Sequence, residues 1–138
     1  MMRASMLVFA ASLLMAGAAN AKDLPLMQVE GVISRGLLEH AAFAACAPLS
    51  NGQIKASDIS AGWADELEAI AGLLNEAGFD PAFVGALPTR YELTAATPVF
   101  AEQKALARYC AMLGDWPKRY LTFIYFIPQF EIKKALEQ

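Results

Sequence analysis

The sequence predicts an all-α fold: a small single-domain helical bundle of about four to five helices with one disulfide, preceded by a signal peptide. Apolar residues recur at intervals of three and four over long segments, and proline and glycine separate those segments. Two cysteines follow an N-terminus typical of an exported protein. The predicted organisation is therefore a signal peptide over residues 1–21 and a helical domain over residues 22–138.

Residues 1–21, MMRASMLVFAASLLMAGAANA, have the layout of a secretory signal peptide. They carry one positive charge at Arg3, then an apolar centre, and they close in Ala-Asn-Ala. An uncleaved membrane anchor is the alternative interpretation, but the apolar part is short and ends in small residues. We therefore expect cleavage before Lys22 and a periplasmic or secreted protein.

The predicted mature chain has the size of one domain, 117 residues (138 minus 21). Without Arg3 it carries ten basic and fourteen acidic residues, a formal charge of −4. General nucleic-acid binding requires a basic face, so nucleic acid is not an expected partner. Residues 58–80 contain acidic residues and neither Lys nor Arg, whereas residues 104–134 are mainly basic and aromatic.

Cys46 and Cys110 are predicted to form a disulfide, because the count is even and the expected compartment is oxidising. Two buried free thiols are the alternative. Closing a segment of this length stabilises a fold by roughly 4 kcal/mol in the chain-entropy model. The chain has no Cys-x-x-Cys motif, so we expect the bridge to be structural rather than redox-active.

The first two helices are predicted from apolar periodicity. One spans residues 29–47 and ends at Pro48, which is followed by Ser-Asn-Gly. The second spans residues 59–77, with acidic residues on its other side and Gly78 just after its end. The apolar side of the second helix consists of Ile59, Trp63, Leu67, Ile70, Leu74 and Ala77.

Two further helices are predicted from a capping residue followed by proline. Asp80-Pro81 begins a short helix, and Thr97-Pro98 begins a longer one that ends at Gly114. The residues expected to point inward from the longer helix are Val99, Leu106, Cys110 and Leu113.

Residues 120–127, YLTFIYFI, form an apolar and aromatic run without helical periodicity. Their composition favours a strand, but no convincing partner strand exists and Pro117 is suited to a helix start. We expect a helix that Pro128 ends, followed by a last amphipathic segment. Eight residues are far fewer than the roughly 20 that a helix needs to span a bilayer.

The segment DWPKRYLTFIYF has the composition of a recognition surface, because aromatic side chains and arginine are enriched at protein interfaces. The predicted partner-binding residues are Trp116, Lys118, Arg119, Tyr120, Phe123, Tyr125 and Phe126. Burial of all these aromatic side chains in the core is the alternative. We expect at least one of the five rings to be exposed and to contact a partner.

No catalytic residue, metal ligand or cofactor is predicted. His40 is the only histidine, and its helical neighbours cannot coordinate a metal or orient an imidazole, which favours a core histidine with its hydrogen bonds satisfied. Asp65, Glu66 and Glu68 are predicted to form a solvated face of the second helix. A site assembled from distant residues is an alternative that sequence patterns do not address.

The leading functional hypothesis is a non-catalytic exported protein-binding module, such as an inhibitor, an immunity protein or a chaperone-like protein. Its expected partner is an envelope or secreted protein. The alternative is a peripheral envelope protein that binds anionic lipid through its basic, aromatic C-terminal region. A third hypothesis is an enzyme with an unrecognised acid site.

Overall fold

The computed structural model describes residues 25–137, and all regular structure within this range is helical. The predicted signal peptide lies outside the described residues. The helices are α1 (25–46), a 3₁₀ turn (Ala47–Leu49), α2 (Ala56–Glu76), α3 (Pro81–Gly85), α4 (Leu87–Arg90), α5 (Leu93–Ala96), α6 (Gln103–Ala111), α7 (Trp116–Leu121) and α8 (Pro128–Glu137). The all-α prediction is confirmed. The structure has more helices than the four to five predicted, because the region after Asp80, predicted as one short helix, contains three short helices, α3, α4 and α5.

The core is built around α2, which packs against α8 and against α3, α4 and α5. Its predicted apolar side is buried at Ile59, Trp63 and Ile70. The Trp63 Nε1–H donates to the Tyr91 carbonyl oxygen at 2.8 Å, which satisfies the indole where it is buried. This hydrogen bond joins the centre of α2 to the end of α4.

A close approach between α1 and the start of α8 depends on Gly36. A Cβ atom at this position would overlap the ring of Pro128, and it would lie 3.3 Å from the Trp63 ring. Pro128 is fully buried, so its ring has little room to move. Because glycine has no Cβ, three helices can meet at this point.

Both predicted boundaries between α2 and α3 are confirmed. Gly78 has a φ of +80°, and the Phe79 N–H donates to the Leu74 carbonyl oxygen at 3.0 Å to close the last turn of α2. The Asp80 carboxylate then accepts a hydrogen bond from the Ala82 N–H at 3.0 Å at the start of α3.

The prediction that Thr97-Pro98 starts a helix is wrong. Thr97 follows the end of α5, where its Oγ1 donates to the Leu93 carbonyl oxygen at 2.7 Å. The threonine hydroxyl adds a second hydrogen bond to a carbonyl that already accepts the Thr97 N–H at 2.9 Å, instead of capping an N-terminus. The following helix, α6, begins later, and Val99, predicted to point inward, is 93% exposed.

The predicted disulfide is confirmed: Cys46 and Cys110 are bonded, with Cα atoms 5.7 Å apart. It joins the last residue of α1 to α6 across a sequence separation of 64 residues. Cys110 is the one buried residue of α6. The covalent bond therefore holds a helix that contributes little apolar surface to the core.

The expectation of a continuous helix over residues 120–127 is wrong. Helix α7 ends at Leu121, and residues 122–127 form a turn followed by irregular backbone, with no strand. Pro128 begins α8 instead of ending a helix. Proline suits the first helical position because its missing N–H would have no intrahelical partner there.

Candidate binding surface

Phe43 on α1 organises the aromatic part of the C-terminal segment. Its buried ring stacks on Trp116 at a centroid distance of 5.7 Å, and the rings of Tyr120 and Tyr125 meet it edge-on at 5.6 Å and 5.8 Å. Such pairs each contribute about 0.5–1.5 kcal/mol beyond the area that they bury. The segment is therefore held against α1 in a defined arrangement.

Burial differs widely among the five predicted aromatic side chains. Trp116 is 5% exposed and belongs to the core, whereas Tyr120, Tyr125 and Phe126 are half-buried. Phe123 is 72% exposed. The core interpretation thus holds for Trp116, and the segment does present an aromatic ring to solvent.

The cationic side chains near this segment are largely engaged within the chain. Arg119 is half-buried; its Nη1 lies 3.4 Å from the Glu39 carboxylate, and its Nη2 donates to the Leu113 carbonyl oxygen at 3.0 Å. The Arg35 guanidinium lies 4.0 Å from the ring centroid of Phe126. Of the two predicted basic contact residues, only Lys118 is exposed.

Phe123 has a φ of +57°, in the left-handed region. Its N–H donates to the Tyr120 carbonyl oxygen at 3.3 Å, and the Ile124 N–H donates to the Arg119 carbonyl oxygen at 2.8 Å. These two bonds define a Schellman motif, in which glycine usually occupies the position of Phe123. A side chain in this conformation costs about 1–2 kcal/mol.

Phe123 is flanked by two other exposed apolar side chains, Leu121 and Ile124. We refer to residues 121–124 as the α7 tip. It follows Tyr120, the residue of α7 whose ring packs edge-on against Phe43. Exposed apolar residues gathered in one short segment are typical of an interaction site.

Beside the α7 tip lies a cavity of about 300 Å³ between α2 and the segment that leads into α8. We call it the acidic cleft. Asp65 and Glu66 of α2 line one side, and no Lys or Arg is among its lining residues in the described part of the chain. The rings that line it are Tyr120, Phe123, Tyr125, Phe130 and the imidazole of His40.

Glu66 is half-buried, in contrast to the predicted solvated face, while Asp65 and Glu68 are exposed as expected. The Glu66 carboxylate accepts hydrogen bonds from the backbone N–H of Gln129 at 2.7 Å and from its Nε2 at 2.8 Å. Gln129 is the second residue of α8, so a side chain of α2 caps α8 and complements its dipole. Sequence spacing cannot reveal a cap supplied by another helix.

His40 is buried, and its Nδ1–H donates to the Gly36 carbonyl oxygen at 2.8 Å. The imidazole centroid lies 4.9 Å from the Trp63 ring and 5.5 Å from the Tyr125 ring. Burial lowers the pKa of His40. The backbone hydrogen bond to Gly36 and the charges of Glu66 and Glu39 act in the opposite direction but are smaller, so the pKa is lowered overall. The side chain is therefore neutral at pH 7, in line with the predicted core histidine.

The two tyrosines of the cleft have raised pKa values. Burial is the main cause for both; Asp58 adds to it for Tyr120, and Tyr120, Glu66 and Glu39 add to it for Tyr125. Negative charges disfavour a second anion, which is why they raise a phenol pKa. Nearby carboxylates therefore reinforce the effect of burial on both rings.

A larger groove of about 600 Å³ lies on the other side of α2, facing α3, α4 and α5. Its lining is mainly apolar and includes Leu67, Val84 and Leu93, with Glu68 and Glu92 among its polar residues. The sequence did not predict this groove because its walls come from several helices whose relative placement no local pattern specifies.

No family model matches this chain, and neither a curated protein nor a solved structure is detectably similar to it. Within residues 25–137, no three His, Cys, Asp or Glu side chains are grouped so that they could hold a metal ion. None of the helices in that range combines the length and apolar character needed to cross a membrane.

Proposed function

We propose that this chain is a non-catalytic exported protein-binding module, such as an inhibitor, an immunity protein or a chaperone-like protein. It holds an envelope or secreted protein through the α7 tip. The observation that carries the proposal is Phe123, an exposed aromatic residue in a left-handed conformation. The disulfide between Cys46 and Cys110 is compatible with export, because such bonds persist in oxidising compartments.

The side chain of Phe123 contributes little to the stability of the folded state. Its backbone conformation costs about 1–2 kcal/mol that a glycine would avoid, and its ring is too exposed to offset this by burial. Strained residues are concentrated at functional sites, where another requirement outweighs the strain. Binding a partner is such a requirement, because aromatic rings dominate the energy of protein interfaces.

The surroundings of Phe123 support a preformed interface. Tyr120 and Tyr125 are stacked with centroids 5.9 Å apart, and both pack on the buried Phe43 ring. A surface that is rigid before binding loses little entropy when a partner docks. Lys118, which is exposed on α7, lies close in sequence to the α7 tip, where an interface would place a polar rim residue.

The α7 tip together with Lys118 also has features of a membrane-surface contact. Two observations favour a protein partner instead. Arg119 is engaged with Glu39 and a carbonyl group, so it offers less positive charge to a lipid head group. The adjoining cleft carries Asp65 and Glu66, which repel anionic lipid.

Capture from envelope extract by the immobilised protein tests this proposal. Replacing Phe123 by Gly removes the ring and suits the backbone, so the variant remains folded. We expect a specific partner to bind the variant at least about 30-fold more weakly, as loss of an interface hot spot implies. Val99→Ser is the matched control, because Val99 is also an exposed apolar residue and is not part of the α7 tip; it should bind normally.

Phosphatidylglycerol vesicles provide the competing measurement. Adsorption that depends on Phe123 and is lost at high salt, without any protein captured, would overturn the proposal in favour of the lipid alternative. Equal capture by the parent protein and by Phe123→Gly would also overturn it, because Phe123 would then have no part in binding.

A further inference from the structure

We propose that the acidic cleft binds an alkylammonium group, the chemistry of a lysine side chain or of a quaternary amine. The proposed site extends the proposed function and rests on it, because the protein partner would insert a lysine side chain into the acidic cleft beside the α7 tip. The two sources share the same chemistry, a positively charged nitrogen on an alkyl stem.

Three aromatic rings form one side of the site. Phe123 lies 6.3 Å from Tyr125, and Tyr125 lies 5.9 Å from Tyr120, measured between ring centroids. The face of an aromatic ring is electron-rich and attracts a cation within about 6 Å of its centroid. Tyr120 and Tyr125 cover one face of each other by stacking, so an ammonium group in the cleft would meet their remaining faces and the ring of Phe123.

The opposite side of the cleft supplies negative charge. Asp65 is exposed, so its carboxylate can approach a ligand, whereas Glu66 is held in place by its two hydrogen bonds to Gln129. Burial is the main cause of the raised pKa of Tyr125, and the Glu66 charge adds to it, which agrees with a carboxylate close to this ring. His40 does not repel a cation, because its burial lowers its pKa and keeps it neutral.

Two arginines of the chain make cation–π contacts with other aromatic rings of the same protein. Arg35 lies 4.0 Å from the centroid of Phe126, and Arg119 lies 5.6 Å from that of Phe43. Within the described residues, no Lys or Arg of the chain covers Tyr120, Phe123 or Tyr125 in the same way. The rings of the acidic cleft are therefore left for an external cation.

The volume of the cleft limits the ligand. About 300 Å³ is at the lower end of the range for small-molecule pockets, which suits one head group or the end of one side chain. The larger groove on the other side of α2 is mainly apolar and includes none of these three rings. The acidic cleft is therefore the cavity in which these three rings face the carboxylates of Asp65 and Glu66.

Choline and its neutral isostere 3,3-dimethylbutan-1-ol are the first probes, added to the disulfide-bonded protein while the aromatic ring resonances are followed by NMR. We expect choline to shift the resonances of Tyr120, Phe123 and Tyr125 saturably. The neutral isostere should bind about fivefold to thirtyfold more weakly, because it lacks the cation–π attraction. Equal affinities, or no shift with choline, would overturn the inference.

A second pair of probes distinguishes the source of the cation. Nα-acetyl-lysine methylamide and its norleucine analogue differ in the terminal ammonium group. Tighter binding of the lysine compound than of choline assigns the cleft to a protein side chain. Tighter binding of choline assigns it to a quaternary amine and overturns the lysine contact with the partner, while the cation site stands.

Matched variants separate this inference from the proposed function. Asp65→Asn should weaken choline binding several-fold, and Glu68→Gln on the same helix should leave it unchanged, since Glu68 lines the other groove. An unchanged affinity in Asp65→Asn would overturn the cation site. Partner capture that still depends on Phe123 in that case would leave the proposed function intact.

Discussion

Helices α2 and α7 end in the same hydrogen-bonded turn but place different residues at its left-handed position. In α2 this residue is Gly78, with a φ of +80°, whose N–H donates to the Asn75 carbonyl oxygen at 3.1 Å. In α7 it is Phe123, with a φ of +57°. Glycine adopts this conformation freely, whereas a phenylalanine is strained in it.

The difference indicates what each turn is for. No atom lies within 4 Å of a Cβ built on Gly78, so glycine serves the backbone alone there. Phe123 presents a ring to solvent and to the acidic cleft. The other positive-φ positions among the described residues are Asn51, Gly52 and Gly114, residue types that tolerate this conformation. Phe123 is thus the one large apolar residue among them.

Removing the Phe43 ring, against which residues of the α7 turn pack, should change the stability more than any other substitution considered. Replacing the buried Phe43 by Ala deletes the ring against which Trp116, Tyr120 and Tyr125 pack. We expect the free energy of unfolding to fall by about 3–5 kcal/mol, as for other buried phenylalanines. Urea denaturation measures it, and a loss below about 1 kcal/mol would show that the cluster is loosely packed.

The two turns also differ in their surroundings. The buried imidazole of His40 contacts the ring of Tyr125, which follows the α7 turn. As the pH falls below about 6.5, the ordinary pKa of a histidine side chain, unfolded His40 gains a proton, whereas folded His40, with its lowered pKa, stays neutral. Stability is therefore complete above this pH, and it declines by up to about 1.4 kcal/mol per pH unit until the folded pKa is reached.

Measuring unfolding between about pH 7 and 5 isolates this effect, since carboxylates titrate mainly below that window. His40 is the only histidine of the chain. His40→Asn keeps a donor for the Gly36 carbonyl oxygen and should abolish the slope. A slope that persists in this variant would mean that another group titrates.

The α2 turn itself should show a smaller effect. In Gly78→Ala the new Cβ meets no neighbour, so the cost comes from the left-handed backbone, partly offset by a less flexible unfolded chain. We expect a net loss of about 1 kcal/mol. Gly72→Ala is the control: this helical position also has free space, and the substitution there should stabilise. Equal effects at both positions would contradict the backbone explanation.

The same contrast explains what the sequence could predict. Helix α2 has regular apolar spacing and a glycine after its end, so both its existence and its C-terminus follow from local patterns. Around Phe123 no local pattern marks a helix end, because the residue that usually signals one is absent. The disulfide was predictable from compartment and count, since two cysteines allow one pairing.

The candidate site was predictable only in part. Composition identified the aromatic segment, but the separation of Trp116 into the core and Phe123 onto the surface depends on how the segment meets Phe43, which is distant in sequence. The acidic cleft was missed for the same kind of reason. Glu66 and the start of α8 are 63 residues apart, and their contact is a product of the fold.

Phe123→Gly should show the smallest change in stability and the opposite sign. Relief of the left-handed backbone stabilises the folded state, but a glycine also makes the unfolded chain more flexible, so we expect a net gain of about 0.5 kcal/mol. Parallel urea titrations of this variant and of the parent protein would measure it. Greater stability together with weaker partner binding would show that Phe123 is retained at a cost to folding. A loss of more than about 1 kcal/mol would instead show that its ring packs on the fold, and the contrast with Gly78 would then lose its functional meaning.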